Sequence, residues 1–158
     1  MRISTKTGDA GLTQWRSSRI SKNSQEIRLL GFLDRAMAET AMAAVTARQN
    51  AVDEDIQDAL FHIHSILSDV CAVLAADAQK DLMPALLWCD HATMNASFDG
   101  FVNFCQSSPT GAAINLARTA VRLAESHLDD ACDEQNPLLR PLINRLSDVL
   151  FVLATRAD

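Results

Sequence analysis

The chain has 158 residues, of which 48% are hydrophobic, and its formal net charge is −6. This length suits one domain with a sizeable core, and the apolar content excludes a disordered chain. The acidic balance argues against a nucleic-acid-binding surface. No apolar run approaches the roughly 20 residues that span a bilayer, and the opening MRISTKTGDAG lacks the apolar core of a signal peptide. We therefore expect no nucleic acid, no membrane partner and a cytoplasmic location.

Residues 1–22 form a polar lead whose segment TKTGDAGLTQW carries two glycines, a lysine and an aspartate. Two interpretations stand side by side: an anion-binding loop, or a frayed start without a function. In the first, successive backbone N–H groups from Gly8 to Gly11 form a nest for an anion, and Lys6 adds positive charge.

Five helices are predicted after the lead. The first runs from about Gln25 to Arg48 and the second lies within 50–76, with acidic residues in its first turn. The apolar stripe of the first helix is Ile27, Leu30, Leu33, Met37 and Ala41. The stripe of the second helix is Ile56, Leu60, Ile63, Leu67, Val70 and Leu74.

The third helix is predicted from Met83 to Ala96, and a glycine- and phenylalanine-containing loop follows over 97–111. The fourth helix is expected from Pro109 to about Asp130 and the fifth from near Pro137 almost to the end. Together these elements predict an all-α five-helix bundle in a single domain, 1–158, with the helical part over 25–157. The four cysteines have no CxxC spacing, so we expect reduced core residues and no metal site.

Polar residues interrupt the apolar sequence of the last two predicted helices. Arg118, Arg122 and Glu125 follow i, i+4, i+7 spacing and share one helix face. This face is either a solvated ion-pair surface or an arginine row that binds phosphates, for which the planar guanidinium is well suited. Asn144 lies inside the segment LINRLSDVLF, where it is either a surface residue or a placed hydrogen-bonding group.

These segments resemble, in order and spacing, the PduO-type ATP:cob(I)alamin adenosyltransferases. TKTGDAG is similar to their TKTGDKG opening, GFLDR to the start of their GxVDELN, and LARTAVRLAE to their ARTVCRRAER. INRLSDVLFVLA is close to their LNRLSDxLFxLA and is the most specific match. The resemblance spans nearly the whole chain, from about Ser4 to Ala154, and implies a cobalamin adenosyltransferase-like, ferritin-like up-down bundle that assembles as a homotrimer.

The resemblance also implies an activity and a site. The activity is transfer of the 5′-deoxyadenosyl group of ATP to cob(I)alamin, with Mg²⁺ as cofactor and triphosphate as the product. The family's ATP-binding residues match Thr5, Lys6, Thr7, Gly8, Gly11 and Lys22. Its nucleotide and corrinoid residues match Arg122, Glu125 and Asn144, and its intersubunit pair matches Asp34 and Arg118. Phe101 matches an aromatic residue of the loop that covers the lower face of the corrinoid.

Several positions depart from the family pattern. At five positions the family has a different residue, in most cases a charged one: Ala10, Arg35, Met37, Leu123 and Ser126. The glycines that follow the first loop in the family are replaced here by RSS. Arg16, Arg19 and Arg35 are candidates to restore the lost positive charge. The alternative hypothesis is a non-catalytic family member that binds ATP, a corrinoid or a protein partner.

Overall fold

The computed structural model describes residues 6–76, 78–98, 102, 107–129, 132, 134 and 136–158. Its first element is a hairpin that the sequence patterns did not predict. Strand β1 (Leu12–Trp15) pairs antiparallel with strand β2 (Ser18–Ser21), so that Leu12 lies opposite Ser21. The first residue of the two-residue turn, Arg16, has a φ of 49°, which a side chain other than glycine adopts at a cost. The polar lead is therefore partly an ordered ribbon.

Five helices are described after the hairpin: α1 (Gln25–Gln49), α2 (Glu54–Ala76), α3 (Met83–Thr93), α4 (Pro109–Glu125) and α5 (Leu139–Arg156). Helix α1 packs on α2 and α4, α4 packs on α5, and α5 packs on α3. Serine caps begin two of the helices, because Ser24 accepts a hydrogen bond from the Ile27 N–H and Ser108 accepts one from the Gly111 N–H. The prediction of an all-α helical bundle is confirmed.

The core face of α1 differs from the predicted stripe. Of the five predicted residues only Leu33 is fully buried, whereas Ala41 is exposed. The buried face is instead Leu29, Leu33, Ala36, Thr40, Ala43, Ala44 and Ala47. Alanines and a threonine carry weak hydrophobic signals, so the larger residues at partly buried positions directed the prediction to a neighbouring stripe. The Thr40 hydroxyl is satisfied inside the helix by donating to the Ala36 carbonyl over 2.7 Å.

The fourth helix is shorter than predicted, because it ends at Glu125 and not near Asp130. The Leu123 carbonyl is shared by two side chains at this end: Ser126 Oγ donates to it over 2.7 Å, and His127 Nδ1 lies 2.9 Å from it. Such local side-chain bonds compete with the regular helical ladder. The third helix likewise ends early, at Thr93, whose hydroxyl donates to the Cys89 carbonyl over 3.1 Å.

Helix α2 corrects the expectation that no segment is long and apolar enough to cross a membrane. An 18-residue window of α2 reaches a mean hydropathy of 1.7, which passes that test by length and composition. All six residues of the predicted stripe of α2 are buried in the bundle core, together with Ile66 and Val73. This burial is what the core helix of a bundle shows. The outward face of α2 is mainly polar, with Phe61 as its exposed large apolar residue.

The start of α4 is joined to the residues that follow α5. The Asp158 carboxylate accepts hydrogen bonds from the Ser108 N–H (2.8 Å) and the Ser107 hydroxyl (2.9 Å). A Cβ atom at Gly111 would overlap this carboxylate and come within 3.0 Å of the Ala154 carbonyl oxygen. A glycine is therefore required where the two helices approach each other.

We expect Gly111→Ala to lower the free energy of unfolding by about 1–3 kcal/mol, the usual cost of overpacking. The expected loss is smaller when Gly111→Ala is made in an Asp158→Ala chain, because the overlapping carboxylate is then absent. Urea unfolding of the two single variants and the double variant, at one protein concentration, measures both effects. An equal loss in the two backgrounds would contradict this account of the contact.

Candidate functional site

The N-terminal loop, residues 6–11, is described from Lys6 onward. Lys6 and Gly11 have positive φ angles of 57° and 75°, and the Lys6 and Thr7 residues are exposed. The Asp9 N–H donates to the Lys6 carbonyl (3.3 Å) and the Gly11 N–H to the Gly8 carbonyl (3.1 Å). Two N–H groups of the predicted anion nest are therefore used within the loop, and a phosphate would have to displace them or use the remaining ones.

The second strand of the hairpin holds this loop in place. Arg19 donates from Nη2 to the Thr7 carbonyl and, over 3.2 Å, to the Leu12 carbonyl. The Lys22 N–H donates to the Gly11 carbonyl over 2.8 Å. A Cβ atom at Gly8 would lie 2.7 Å from Lys22 Nζ, so the ammonium group lies directly over this glycine. The structure thus brings together Gly8 and Lys22, two residues that the resemblance assigned to ATP binding, and adds Arg19.

The other two arginines that were candidates to restore positive charge have different partners. Arg16 donates to the Leu74 carbonyl from Nε (3.2 Å) and Nη2 (2.9 Å), and its guanidinium lies over the Trp15 ring. Leu74 is in the last turn of α2, where a cation is favoured. Arg35 pairs with Glu39 one turn further along α1, over 2.6 Å. Of the three arginines, Arg19 is therefore the one that contacts the loop.

A polar cluster, defined as Arg118, Arg122, Glu125 and Asn144, lies on the adjacent faces of α4 and α5. Asn144 Nδ2 donates to Glu125 Oε1 over 3.0 Å. Burial, together with the nearby positive charge of Arg122, lowers the pKa of Arg118 from its ordinary value. Two close guanidinium groups at a partly buried position favour a bound anion. The structure thus places on neighbouring helix faces four residues that the family resemblance assigned to one site.

Three members of the surrounding network were not predicted as site residues. Arg145 donates from Nη1 to Asn144 Oδ1 (3.3 Å) and from Nε to Asp90 Oδ1 (2.9 Å). Asp148 Oδ2 lies 3.7 Å from Arg145 Nη1. Arg145 and Asp148 are visible in the sequence as charges inside apolar text. The sequence does not single out Asp90, because it is one of several polar residues on a short helix that is expected to be partly exposed.

An aromatic wall lies beside this network. The Phe98 and Phe151 rings meet edge to face with their centroids 4.9 Å apart, and the Arg118 guanidinium lies 5.9 Å from the centre of the Phe151 ring. Both phenylalanines line a cleft of about 420 Å³ together with Asp90, Arg145 and Asp148. The cleft therefore combines an apolar wall with charged groups, which suits a large ligand with a flat apolar face and polar edges.

Asp34 and Arg118 do not pair within one chain. Asp34 is exposed on α1, and its negative charge adds to burial in raising the pKa of Cys71, on α2, to about 11. Arg118 instead lies beside Phe151 of α5. No ion pair joins the two residues within the described chain.

Two predicted site residues, Thr5 and Phe101, lie outside the described residues. In the described ranges, no group of three or more His, Cys, Asp or Glu side chains is placed to hold a metal ion. Among the described cysteines, Cys71 and Cys89 are free thiols, and of these Cys89 is buried and Cys71 half-buried. Burial raises the pKa of the Cys89 thiol to about 12, so this residue has the character of a core side chain.

The sequence and the fold were compared with those of known proteins. The family model described as cobalamin adenosyltransferase matches residues 3–157. A cobalamin adenosyltransferase from Cupriavidus metallidurans is 33% identical over 161 residues, covering 97% of this chain and 86% of that protein. A corrinoid adenosyltransferase from Mycobacterium tuberculosis is 32% identical over 176 residues, covering 99% of this chain and 89% of that protein.

The same fold occurs in a solved structure of a variant PduO-type ATP:corrinoid adenosyltransferase from Lactobacillus reuteri complexed with cobalamin and ATP. That structure superimposes with a TM-score of 0.81 at 23% identity, covering 99% of this chain and 90% of the other. The match of the family model over nearly the whole length, together with relatives above 30% identity, decides the assignment. This chain belongs to the cobalamin adenosyltransferase family.

Proposed function

We propose that this protein transfers the 5′-deoxyadenosyl group of ATP to the Co(I) centre of a reduced corrinoid. The Co–C5′ bond forms, the bond between C5′ and the triphosphate oxygen breaks, and triphosphate leaves with the bonding electron pair. Co(I) is itself a strong nucleophile, so the chain need not supply one. Its residues have to hold C5′ near the cobalt and stabilise the charge of the leaving triphosphate.

The observation that carries this proposal is the polar cluster on α4 and α5. Arg118 and Arg122 supply fixed positive charge for a triphosphate, and the hydrogen bond between Glu125 and Asn144 fixes an amide beside them. The neighbouring Phe98 and Phe151 rings provide an apolar wall. Such a wall favours removal of water from the cobalt, which a nucleophilic Co(I) requires.

The donor set is suited to Mg²⁺ bound to ATP and not to a metal cage built by the protein alone. Glu125 is the carboxylate beside Arg122 and Asn144, and its Oε1 is already engaged by the Asn144 amide. Mg²⁺ commonly takes one or two protein carboxylates in addition to substrate phosphates and waters. Glu125 is therefore the carboxylate that would hold the cation, and a bound Mg²⁺ would neutralise part of the triphosphate charge.

The activity is tested directly with purified protein, ATP, Mg²⁺ and chemically reduced cobalamin. We expect the absorption spectrum to change from that of the Co(I) corrinoid to that of adenosylcobalamin, with release of triphosphate. A folded protein that gives no adenosylcobalamin would refute the proposed catalysis.

The alternative, a family member that binds its ligands without catalysis, is favoured by one observation. Ala10 stands where the family has a lysine, and Arg16 and Arg35 are engaged by Leu74 and Glu39. Positive charge around a bound triphosphate is therefore reduced. Calorimetry with ATP and with cobalamin separates the two functions, because tight binding without turnover supports the alternative.

We also propose that the active form is a homotrimer. Asp34 faces the α2 side and Arg118 the α5 side of the chain, so their pairing needs a neighbouring copy. A cleft of about 340 Å³ between α1 and α2 is lined mainly by apolar groups. Val45 and Phe61 line it and are 49% and 51% exposed. An exposed apolar surface of this kind is typical of an interface between subunits.

We expect Ala10→Lys to strengthen ATP binding about fivefold, which corresponds to a charge-assisted hydrogen bond reduced by solvent exposure. The added ammonium would lie in the loop next to Gly11, close to Arg19 and Lys22. Calorimetric titration with Mg²⁺–ATP measures the change, and Ala10→Met serves as a control of similar length without charge. An unchanged affinity for the lysine variant would show that the loop does not bind phosphate.

A further inference from the structure

Asn144 is held at both ends of its amide group by residues with fixed hydrogen-bonding character. Arg145 has only donors, so the atom of Asn144 that faces it must be the carbonyl oxygen. The Glu125 carboxylate only accepts, so the atom that faces it must be the amide nitrogen. The orientation of the Asn144 side chain therefore follows from the chemistry of its two neighbours.

Arg145 is in turn held by α3. Its Nε donates to Asp90 Oδ1 over 2.9 Å, and Asp148 Oδ2 lies 3.7 Å from its Nη1. The side chains of Arg145 and Asp90 are 46% and 53% exposed. An ion pair this exposed contributes little to stability. Its clearer effect is to limit the positions from which Arg145 can reach Asn144.

We infer that Asp90 and Arg145 are positioning residues that fix the Asn144 amide for ATP. One N–H of that amide donates to Glu125. Among the described residues the second N–H has no acceptor, so it can donate to the nucleotide. Without Asp90, Arg145 keeps only its longer contact with Asp148 and can leave Asn144, so that Glu125 alone holds the amide and its carbonyl oxygen is no longer fixed. This inference rests on the proposed function, since ATP is the ligand that the oriented amide serves.

A double-mutant cycle tests whether Asp90 acts through Asn144. Binding of Mg²⁺–ATP to the full chain is measured by calorimetry for the wild type, Asp90→Asn, Asn144→Ala and the combined variant. We expect Asp90→Asn to weaken binding about fivefold in the wild-type chain, the scale of one misplaced hydrogen bond. In the Asn144→Ala chain, Asp90→Asn should change the affinity by no more than twofold. Asp90→Glu, which keeps the charge, should bind ATP as the wild type does.

The chain offers a matched control on the same helix. Arg156 of α5 pairs with Asp55 of α2, and their side chains are 48% and 59% exposed, close to the values for Arg145 and Asp90. Asp55→Asn also breaks a cross-helix ion pair but touches nothing in the polar cluster. ATP affinity should stay within twofold of the wild type in this variant. An equal loss of ATP affinity in Asp55→Asn and Asp90→Asn would show that Asp90 contributes only to general stability.

The orientation itself is measured without ATP. The side-chain amide signals of Asn144 in a ¹⁵N–¹H spectrum are identified by their loss in Asn144→Ala. In Asp90→Asn they should move toward the positions of freely rotating amides, and in Asp55→Asn they should not. Unmoved signals, or an ATP affinity unchanged by Asp90→Asn, would overturn the inference. A wild-type chain that does not bind ATP would refute the proposed function, and the amide signals would then decide the orientation alone.

Discussion

Arg122→Ala should lower the rate of adenosylcobalamin formation about 100-fold or more, the usual effect of removing a fixed donor that stabilises developing charge. Arg122 is exposed in the single chain, and its charge lies close enough to Arg118 to lower the pKa of that residue. Both properties fit a side chain whose partner is a bound anion. The rate and the ATP affinity are measured separately, because loss of transition-state stabilisation lowers kcat more than it raises KM.

Arg156→Ala is the control for this result. It removes an exposed arginine that pairs with Asp55, outside the polar cluster, and should leave the rate within twofold of the wild type. Because Arg122 is exposed, its replacement should lower the free energy of unfolding by no more than about 0.5 kcal/mol. A fully active Arg122→Ala protein would show that the arginine row is not part of the catalytic site.

Asp34→Arg should break the assembly and, with it, the activity. If Asp34 of one copy meets Arg118 of the next, reversal of one charge places two guanidinium groups against each other. Disrupting a buried charge pair at an interface costs about 2–5 kcal/mol. Light scattering over a range of protein concentrations should therefore show smaller species for this variant than for the wild type. The transfer rate should fall in parallel if, as proposed, a neighbouring subunit completes the site.

The reciprocal change separates a specific pair from a general disturbance. Asp34→Arg combined with Arg118→Asp should recover the larger species seen by light scattering, the part that belongs to direct coupling of the charges, but not the activity, because Arg118 is also proposed to bind the triphosphate. Recovery should be incomplete, since Arg118 also donates to Asn115 and lies over Phe151. Asp53→Arg, at an exposed position before α2, is the matched charge reversal. A monomeric wild-type protein would refute the shared site.

The helical part of the fold could be predicted because helix periodicity is strong where large apolar residues carry it. All six residues predicted for the stripe of α2 are buried, Ile66 and Val73 were missed there, and the start of α5 was predicted to within about two residues. The core face of α1 was not, since Ala36, Thr40 and Ala43 are small or polar and their burial depends on the neighbouring helices. The hairpin was missed because its strands have four residues each and little apolar alternation.

The site was predicted in part, and the part that was missed has a physical reason. The i, i+4, i+7 spacing identified Arg118, Arg122 and Glu125, because it is a property of one helix. The bond from Asn144 to Glu125 joins residues on two helices, and only the resemblance suggested that they lie in one site. Asp90 could not be found from the sequence, since its relevance depends on how α3 packs against α5.

The turn of the hairpin has a consequence for the thermodynamics of ATP binding. Arg16 replaces a glycine of the family pattern and fixes the hairpin to the carbonyl of Leu74, at a φ of 49° that costs about 1–2 kcal/mol in an L-residue. If the adjoining loop binds a nucleotide, a hairpin fixed in this way loses less conformational entropy on binding. Compared with a family member that has glycine in this turn, ATP binding should therefore show a smaller entropic penalty. This difference offsets the enthalpy lost with the lysine that Ala10 replaces.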